Sequence, residues 1–156
     1  MIDFLRADQE RKSEPDFYEI PRFHAVPKPS EKIIYDDVRQ MIKARHKNVF
    51  LNTLYRFMDE RKLNEVDVYR RALMDRRYFS KIRSGTIPKK NSVICLGLAM
   101  KLSEEEMDEL LKSAGYAFSD ARRSDVIVEW CIAHRIYNLM EVNDILYENK
   151  ASLLKE

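Results

Sequence analysis

The chain has 156 residues, of which 45% are hydrophobic and 35% are charged, and its formal net charge is +2. A chain of this length and composition predicts one modest hydrophobic core. It lacks an apolar run long enough to cross a membrane, and its acidic start, Met-Ile-Asp-Phe-Leu-Arg-Ala-Asp, differs from a secretory signal, so we expect a cytoplasmic protein without a membrane partner.

Residues 1–29 contain four of the five prolines and show no helical periodicity. This composition predicts an extended arm. The aromatic residues Phe17, Tyr18 and Phe23 favour packing of the arm onto the domain or onto another subunit, because wholly disordered tails seldom carry so many aromatic side chains. A leading helix is predicted to follow over residues 30–46.

The next three predicted helices are short and closely spaced. The first has Leu51, Leu54, Tyr55 and Met58 at helical spacing. Asn64 is predicted to cap the second helix. The buried side of that second helix is expected to contain Val66, Tyr69 and Leu73, with Val68 and Ala72 beside them.

The third of these helices begins after a predicted cap residue, Asp75, and ends at Ser84-Gly85. Phe79 and Ile82 are three positions apart, so they can face a core together. The basic and hydroxyl side chains of Arg76, Ser80 and Arg83 are left on another face.

A nearly apolar helix is predicted over residues 91–100, and it should form the buried axis of the bundle. Ser103 and Glu106 form a capping-box pattern at the start of the next helix, which Gly115 should close. Two further helices are expected in residues 116–156, the first with Ile127, Trp130 and Cys131 on one face and the second with Val142, Ile145 and Leu146. They can complete the core, contact a second subunit, or do both.

Positive charge is concentrated in the middle of the chain. Residues 1–68 balance at 13 basic and 13 acidic side chains, and residues 103–156 contain 6 basic and 12 acidic ones. Residues 69–90 have eight basic side chains and a single acidic one, a net charge of +7. The eight are Arg70, Arg71, Arg76, Arg77, Lys81, Arg83, Lys89 and Lys90. An anionic partner should therefore meet this segment, although charged runs often only solvate a surface.

Catalytic interpretations find little support in the sequence. Cys95 and Cys131 lie in apolar helical segments, which predicts reduced, buried thiols. Cys131 and His134 are three residues apart, but no second pair of ligands accompanies them. With only three glycines there is no phosphate-binding loop. We expect a protein that is not an enzyme and has no metal, cofactor or small-molecule substrate.

The order of these elements resembles the Cro and lambda-repressor type of helix-turn-helix domain, the xenobiotic-response-element family of bacterial and phage regulators. The likeness lies in Met74-Asp-Arg-Arg-Tyr-Phe-Ser-Lys-Ile-Arg-Ser-Gly and in Pro88 followed by Leu96-Gly-Leu-Ala-Met-Lys-Leu, and it covers about 65 residues. It implies a five-helix bundle over residues 47–115. Together with the predicted extended arm and the additional C-terminal helices, this gives an all-α chain.

The resemblance also implies a recognition helix, Asp75–Arg83, in the DNA major groove. Base contacts would fall to Arg76, Arg77 and Ser80. Contacts with the DNA backbone would fall to Arg70, Arg71, Lys81, Arg83, Lys89 and Lys90. The family usually has a small residue and a glycine where this chain has Tyr69 and Leu73, which predicts a wider helix crossing or a longer second helix.

Two functions follow as hypotheses. The first is binding of double-stranded DNA by a transcriptional regulator, for which a homodimer would present paired recognition helices. The second is a non-catalytic adaptor that uses the same fold to bind an acidic protein partner. The bulky Tyr69 and Leu73 favour the adaptor slightly, and the charged recognition helix favours DNA.

Overall fold

The computed structural model describes residues 28–46 and 49–155 of the chain. These residues form helices and turns without strands, so the all-α prediction is confirmed for this part of the chain. The helices are α1 (Lys28–His46), α2 (Val49–Glu60), α3 (Glu65–Arg71), α4 (Arg76–Arg83), α5 (Lys90–Ala99), α6 (Glu104–Ser113), α7 (Arg123–Ala133) and α8 (Leu139–Glu148).

The described part of the chain divides into two units between residues 44 and 45. In the first unit, the leading helix predicted from Ser30 is present as α1 and begins two residues earlier. The predicted arm lies outside the described residues, apart from positions 28 and 29, which already belong to α1. Helices α2–α8 all lie in the second unit.

Helix α5 is the centre of the second unit. Its residues from Val93 through Ala99 are all buried, as the apolar sequence predicts, and it contacts α3, α6 and α8. Gly97 lets the Met107 side chain of α6 lie directly against α5, since a Cβ atom at this position would collide with it. Over this segment α5 has no solvent-facing side, and these three helices pack directly against it.

The helix starts follow the predicted caps. The Asn64 side chain accepts a hydrogen bond from the Asp67 amide at 2.8 Å, and Asp75 caps α4 in the same way. The Glu106 amide donates to Ser103 Oγ at 3.2 Å, and the Ser103 amide donates to Glu106 Oε1 at 3.0 Å, which completes the capping box. These short-range bonds satisfy backbone donors that a helix cannot satisfy internally.

The predicted buried side of α3 is partly wrong. Val68 and Ala72 are buried and Tyr69 is half-buried, whereas Val66 and Leu73 are exposed. The structure turns the smaller side chains inward, because Ala72 and Val68 let α3 lie close to the fully buried α5.

Leu73 lies in the turn between α3 and α4 and adopts the left-handed conformation, with φ +50°. The Leu73 amide donates to Arg70 O at 3.0 Å, and the Met74 amide donates to Tyr69 O at 2.9 Å. These two bonds end α3 after seven residues, so the expectation of a longer helix is wrong. A leucine here takes the conformation that a glycine would otherwise supply.

Helices α7 and α8 complete the core of the second unit. Their buried residues include Val128, Cys131, Ile132, Val142 and Leu146. The core takes up only part of the predicted apolar face of α7: Cys131 is buried, Ile127 is half-buried and Trp130 is 50% exposed. The buried side of α7 also includes Asp125, a carboxylate that accepts hydrogen bonds from Lys90 and from the Ser119 amide.

Both cysteines are buried free thiols, as predicted. Burial raises the pKa of Cys95 to about 11 and also raises the pKa of Cys131, so both thiols stay protonated at neutral pH. None of the helices within residues 28–46 and 49–155 is both long and apolar enough to span a membrane.

Replacing Leu73 by glycine should stabilise the protein by about 1 kcal/mol, because glycine adopts a positive φ without a steric penalty and the leucine is 47% exposed. Urea denaturation measures this change. Leu73→Ala is the control, since it shortens the side chain and keeps the penalty. Equal stability of the glycine and alanine variants would contradict the assigned strain.

Candidate nucleic-acid interface

Helix α4 is anchored to the rest of the unit by its apolar side. Phe79 and Ile82 are buried, as their spacing predicts. The Phe79 ring lies 5.7 Å from the ring of Tyr69, centroid to centroid, and this contact joins α4 to α3. The bulky residue at position 69 therefore has a packing role between the two helices.

The outward face of α4 contains the three residues predicted to contact bases. Arg76 and Arg77 are exposed and Ser80 is half-buried. Neighbouring residues on an α-helix point about 100° apart, so the two arginines diverge and Ser80 lies between them, one turn further on. Neither arginine belongs to an ion pair found in the part of the chain described.

Arg83, which is predicted to contact the DNA backbone, is held by α3. Its Nη1 atom lies 2.8 Å from Glu65 Oε2, and its Nη2 atom donates to Ser80 Oγ at 3.4 Å. Tyr55 OH donates to the other Glu65 oxygen at 2.8 Å. Burial and this hydrogen bond raise the pKa of Tyr55 to about 12. The network fixes the C-terminal end of α4 against α2 and α3, and the Arg83 side chain remains 53% exposed.

The loop that follows α4 is fixed by two tyrosines. The Lys89 amide donates to Tyr78 OH at 3.2 Å, and Tyr116 OH donates to Pro88 O at 2.9 Å. Lys89 itself is exposed. Sequence reasoning missed both tyrosines, because their partners lie 11 and 28 residues away and no local pattern connects them.

Lys90 is not one of the exposed cations. Its ammonium group lies 2.6 Å from Asp125 Oδ2, which also accepts a hydrogen bond from the Ser119 amide at 2.9 Å. The side chains of Lys90 and Asp125 are only 16% and 5% exposed. This ion pair joins the start of α5 to α7. Lys90 therefore has a structural role, although the sequence predicted that it contacts the DNA backbone.

The remaining predicted contacts lie in two places. Lys81 is exposed on α4, one turn after Arg77. Arg70 and Arg71 lie near the C-terminal end of α5, where they line a cleft with Leu98. Lys89 precedes the other end of α5, and a ten-residue helix is about 15 Å long. The basic segment is therefore divided between the two ends of α5.

The chain's Cys131–His134 pair has a packing role. Cys131 is buried, and the His134 Nδ1 atom donates to Trp130 O at 2.8 Å while its ring stacks on Trp130 with centroids 4.1 Å apart. Within the described ranges, no group of three or more His, Cys, Asp or Glu residues has an arrangement that could hold a metal ion.

Comparison of the chain with protein-family models, with curated proteins and with solved structures gives no match.

Replacing Lys90 by methionine should destabilise the protein by about 2 kcal/mol, because it leaves the buried Asp125 carboxylate without its counter-charge. Thermal or urea denaturation measures this loss. The matched control is Arg56→Met, which breaks the half-exposed pair between Arg56 and Glu109 and should change stability by less than about 1 kcal/mol. Equal losses in the two variants would show that the Lys90 pair has no special structural role.

Proposed function

We propose that this protein binds double-stranded DNA, with α4 lying in the major groove. The observation that carries the proposal is the outward face of α4, where Arg76 and Arg77 are exposed on either side of Ser80 while Phe79 and Ile82 anchor the opposite side. A cationic ridge on a short, anchored helix is suited to insertion between two phosphate backbones.

The dimensions of α4 support this arrangement. An α-helix with its side chains is about 10–12 Å across, and the major groove of B-DNA is about 12 Å wide. Eight residues extend for about 12 Å, so α4 can contact a few successive base pairs. Arginine in this position can donate two hydrogen bonds to the O6 and N7 atoms of guanine, which gives sequence preference.

Backbone contacts in this proposal come from the exposed cations beside the recognition face. Lys81 and Lys89 are the best candidates, because Lys81 is on α4 and Lys89 is held next to it by Tyr78. Arg83 is a weaker candidate, since Glu65 already neutralises it.

The short helix pair α3–α4 with its left-handed turn at Leu73 supports the proposed helix-turn-helix fold of the Cro and lambda-repressor type. The adaptor hypothesis relied on the bulk of Tyr69 and Leu73, and it is weakened because Tyr69 packs on Phe79 and Leu73 fits the turn between the two helices. We therefore propose a non-enzymatic transcriptional regulator of bacterial or phage type, and a homodimer for which two half-sites are expected.

Substitutions at Arg77 test base recognition directly. Once a preferred site has been selected from a random duplex library, Arg77→Ala should weaken binding to it by about 1–3 kcal/mol and relax the base preference. Arg77→Lys should retain most non-specific affinity and lose the preference, because lysine keeps the charge without the planar fork. Mobility shifts on selected and scrambled duplexes measure both effects. Lys112→Ala, which removes one exposed charge from α6, is the control.

Substitution of Lys89 tests the backbone contact. Lys89→Ala should weaken binding to all sequences about equally and reduce the slope of log K against log salt by about 1, because one fewer counterion is released. A mobility-shift series across salt concentrations gives the slope.

Two results would contradict DNA binding. One is the absence of any enriched sequence together with poor affinity at low salt. The other is a stoichiometric protein partner, captured from a nuclease-treated lysate, whose binding requires Arg76 and Arg77. That second result would establish the adaptor function instead, with α4 as a basic ridge for an acidic protein surface.

A further inference from the structure

A cleft of about 640 Å³ lies at the C-terminal end of α5, away from the N-terminal end that Lys89 precedes. It is lined by the end of α3, the turn at position 73, the end of α5 and the connection from α7 to α8. Its volume is within the range of small-molecule sites, about 300–1,000 Å³. The charged side chains that line it are Arg70, Arg71, Lys101, Arg135 and Glu141.

The cleft has a strong excess of positive charge. Four cationic side chains face one carboxylate, a net charge of +3. All four cations are exposed, and none of them belongs to an ion pair among residues 49–155. Arg83 and Lys90 have carboxylate partners in Glu65 and Asp125, whereas these four cations have none among the ion pairs of residues 49–155.

The chain builds this cluster with three similar helix ends. Leu73, Lys101 and Arg135 follow α3, α5 and α7, and their φ angles are +50°, +54° and +58°. In each case the next residue's amide donates back to the helix, at 2.9, 3.1 and 2.8 Å. These turns bring residues from three distant parts of the sequence to one cleft.

Helix dipoles offset only part of the charge. A helix C-terminus carries at most about half a negative charge, so three ends supply about −1.5 against the +3 of the side chains. Capping of helix ends by basic side chains is common, but here it leaves an excess of about 1.5 positive charges.

The other walls of the cleft are apolar. Leu98, Ile136, Leu139 and Met140 line it together with the half-buried Tyr137. Tyr137 OH donates to Leu102 O at 3.0 Å, so the hydroxyl is already engaged and the ring is fixed in place. Fixed aromatic and aliphatic walls beside cations are suited to a ligand with an anionic end and an apolar body.

We propose that this cleft binds an organic phosphate with an aromatic body, of the nucleoside polyphosphate class. The cations at positions 70, 71, 101 and 135 hold the phosphates, and the apolar wall around Tyr137 receives the aromatic ring. The proposal does not depend on DNA binding, because none of these residues belongs to α4.

Thermal unfolding of the full chain with ATP, adenosine or inorganic pyrophosphate tests this assignment. At about ten times its Kd, ATP should raise Tm by roughly 4 °C or more, because it binds only the folded state. Pyrophosphate should protect less, and adenosine should not protect. The double variant Arg70→Gln/Arg135→Gln should lose the ATP effect, and Lys101→Gln should weaken it in case the double variant unfolds.

The matched control is Arg76→Gln/Arg77→Gln, which removes the same charge from α4 and should keep the ATP effect. Loss of protection only in this control would place the anion site on α4 and overturn the proposal. Equal protection by ATP in both double variants would show diffuse attraction to a basic surface. Pyrophosphate protecting as well as ATP would show that the cleft does not recognise the aromatic part of the ligand. Absence of protection would leave the four cations with a structural role only. Because DNA affinity is measured separately, either hypothesis can fail alone.

Discussion

The absence of a polar side on α5 is the constraint on which the second unit depends. Its buried segment, Val93 through Ala99, must be covered in every direction, and α3, α6 and α8 do so. Only the two ends of this helix reach solvent. Lys89 lies at one end, beside the loop after α4, and Lys101 lies at the other, in the cationic cleft. The buried helix thereby separates two basic surfaces by about its own length of 15 Å.

The net charge of +7 in residues 69–90 does not act as one surface. The exposed cations of α4 form one part, and the arginines at positions 70 and 71 belong to the cleft. Arg83 and Lys90 are paired with Glu65 and Asp125, which lie 18 and 35 residues away in the sequence. A count along the chain locates the charge correctly, but it cannot show which cations the fold neutralises, because those partners approach only through tertiary packing.

The sequence predicts features that depend on neighbours within about four residues. The caps at Asn64, Asp75 and Ser103 are of this kind, and so is the apolar run of α5. The predicted buried side of a helix is wrong where the hydrophobic spacing is compatible with more than one rotation of that helix. Spacing grouped Trp130 with Ile127 and Cys131, yet Trp130 is half exposed and the buried side of α7 includes Asp125, which is paired with a lysine on another helix. Hydrophobic spacing identifies a helix, whereas distant contacts decide its rotation.

The charges in the first turn of α4 oppose its stability, although the Asp75 cap supplies one carboxylate there and the basic Lys81 and Arg83 suit the C-terminal end of the helix. Its first turn has two arginines and no acidic residue, at the end where the helix dipole is positive. Arg77 and Lys81 are also like charges one turn apart, which costs about 0.2–0.5 kcal/mol. The fold holds this helix in place through Phe79 and through the bond between Arg83 and Glu65, on its other sides. A polyanion placed against the outward face would offset both penalties, whereas water and salt alone only screen them.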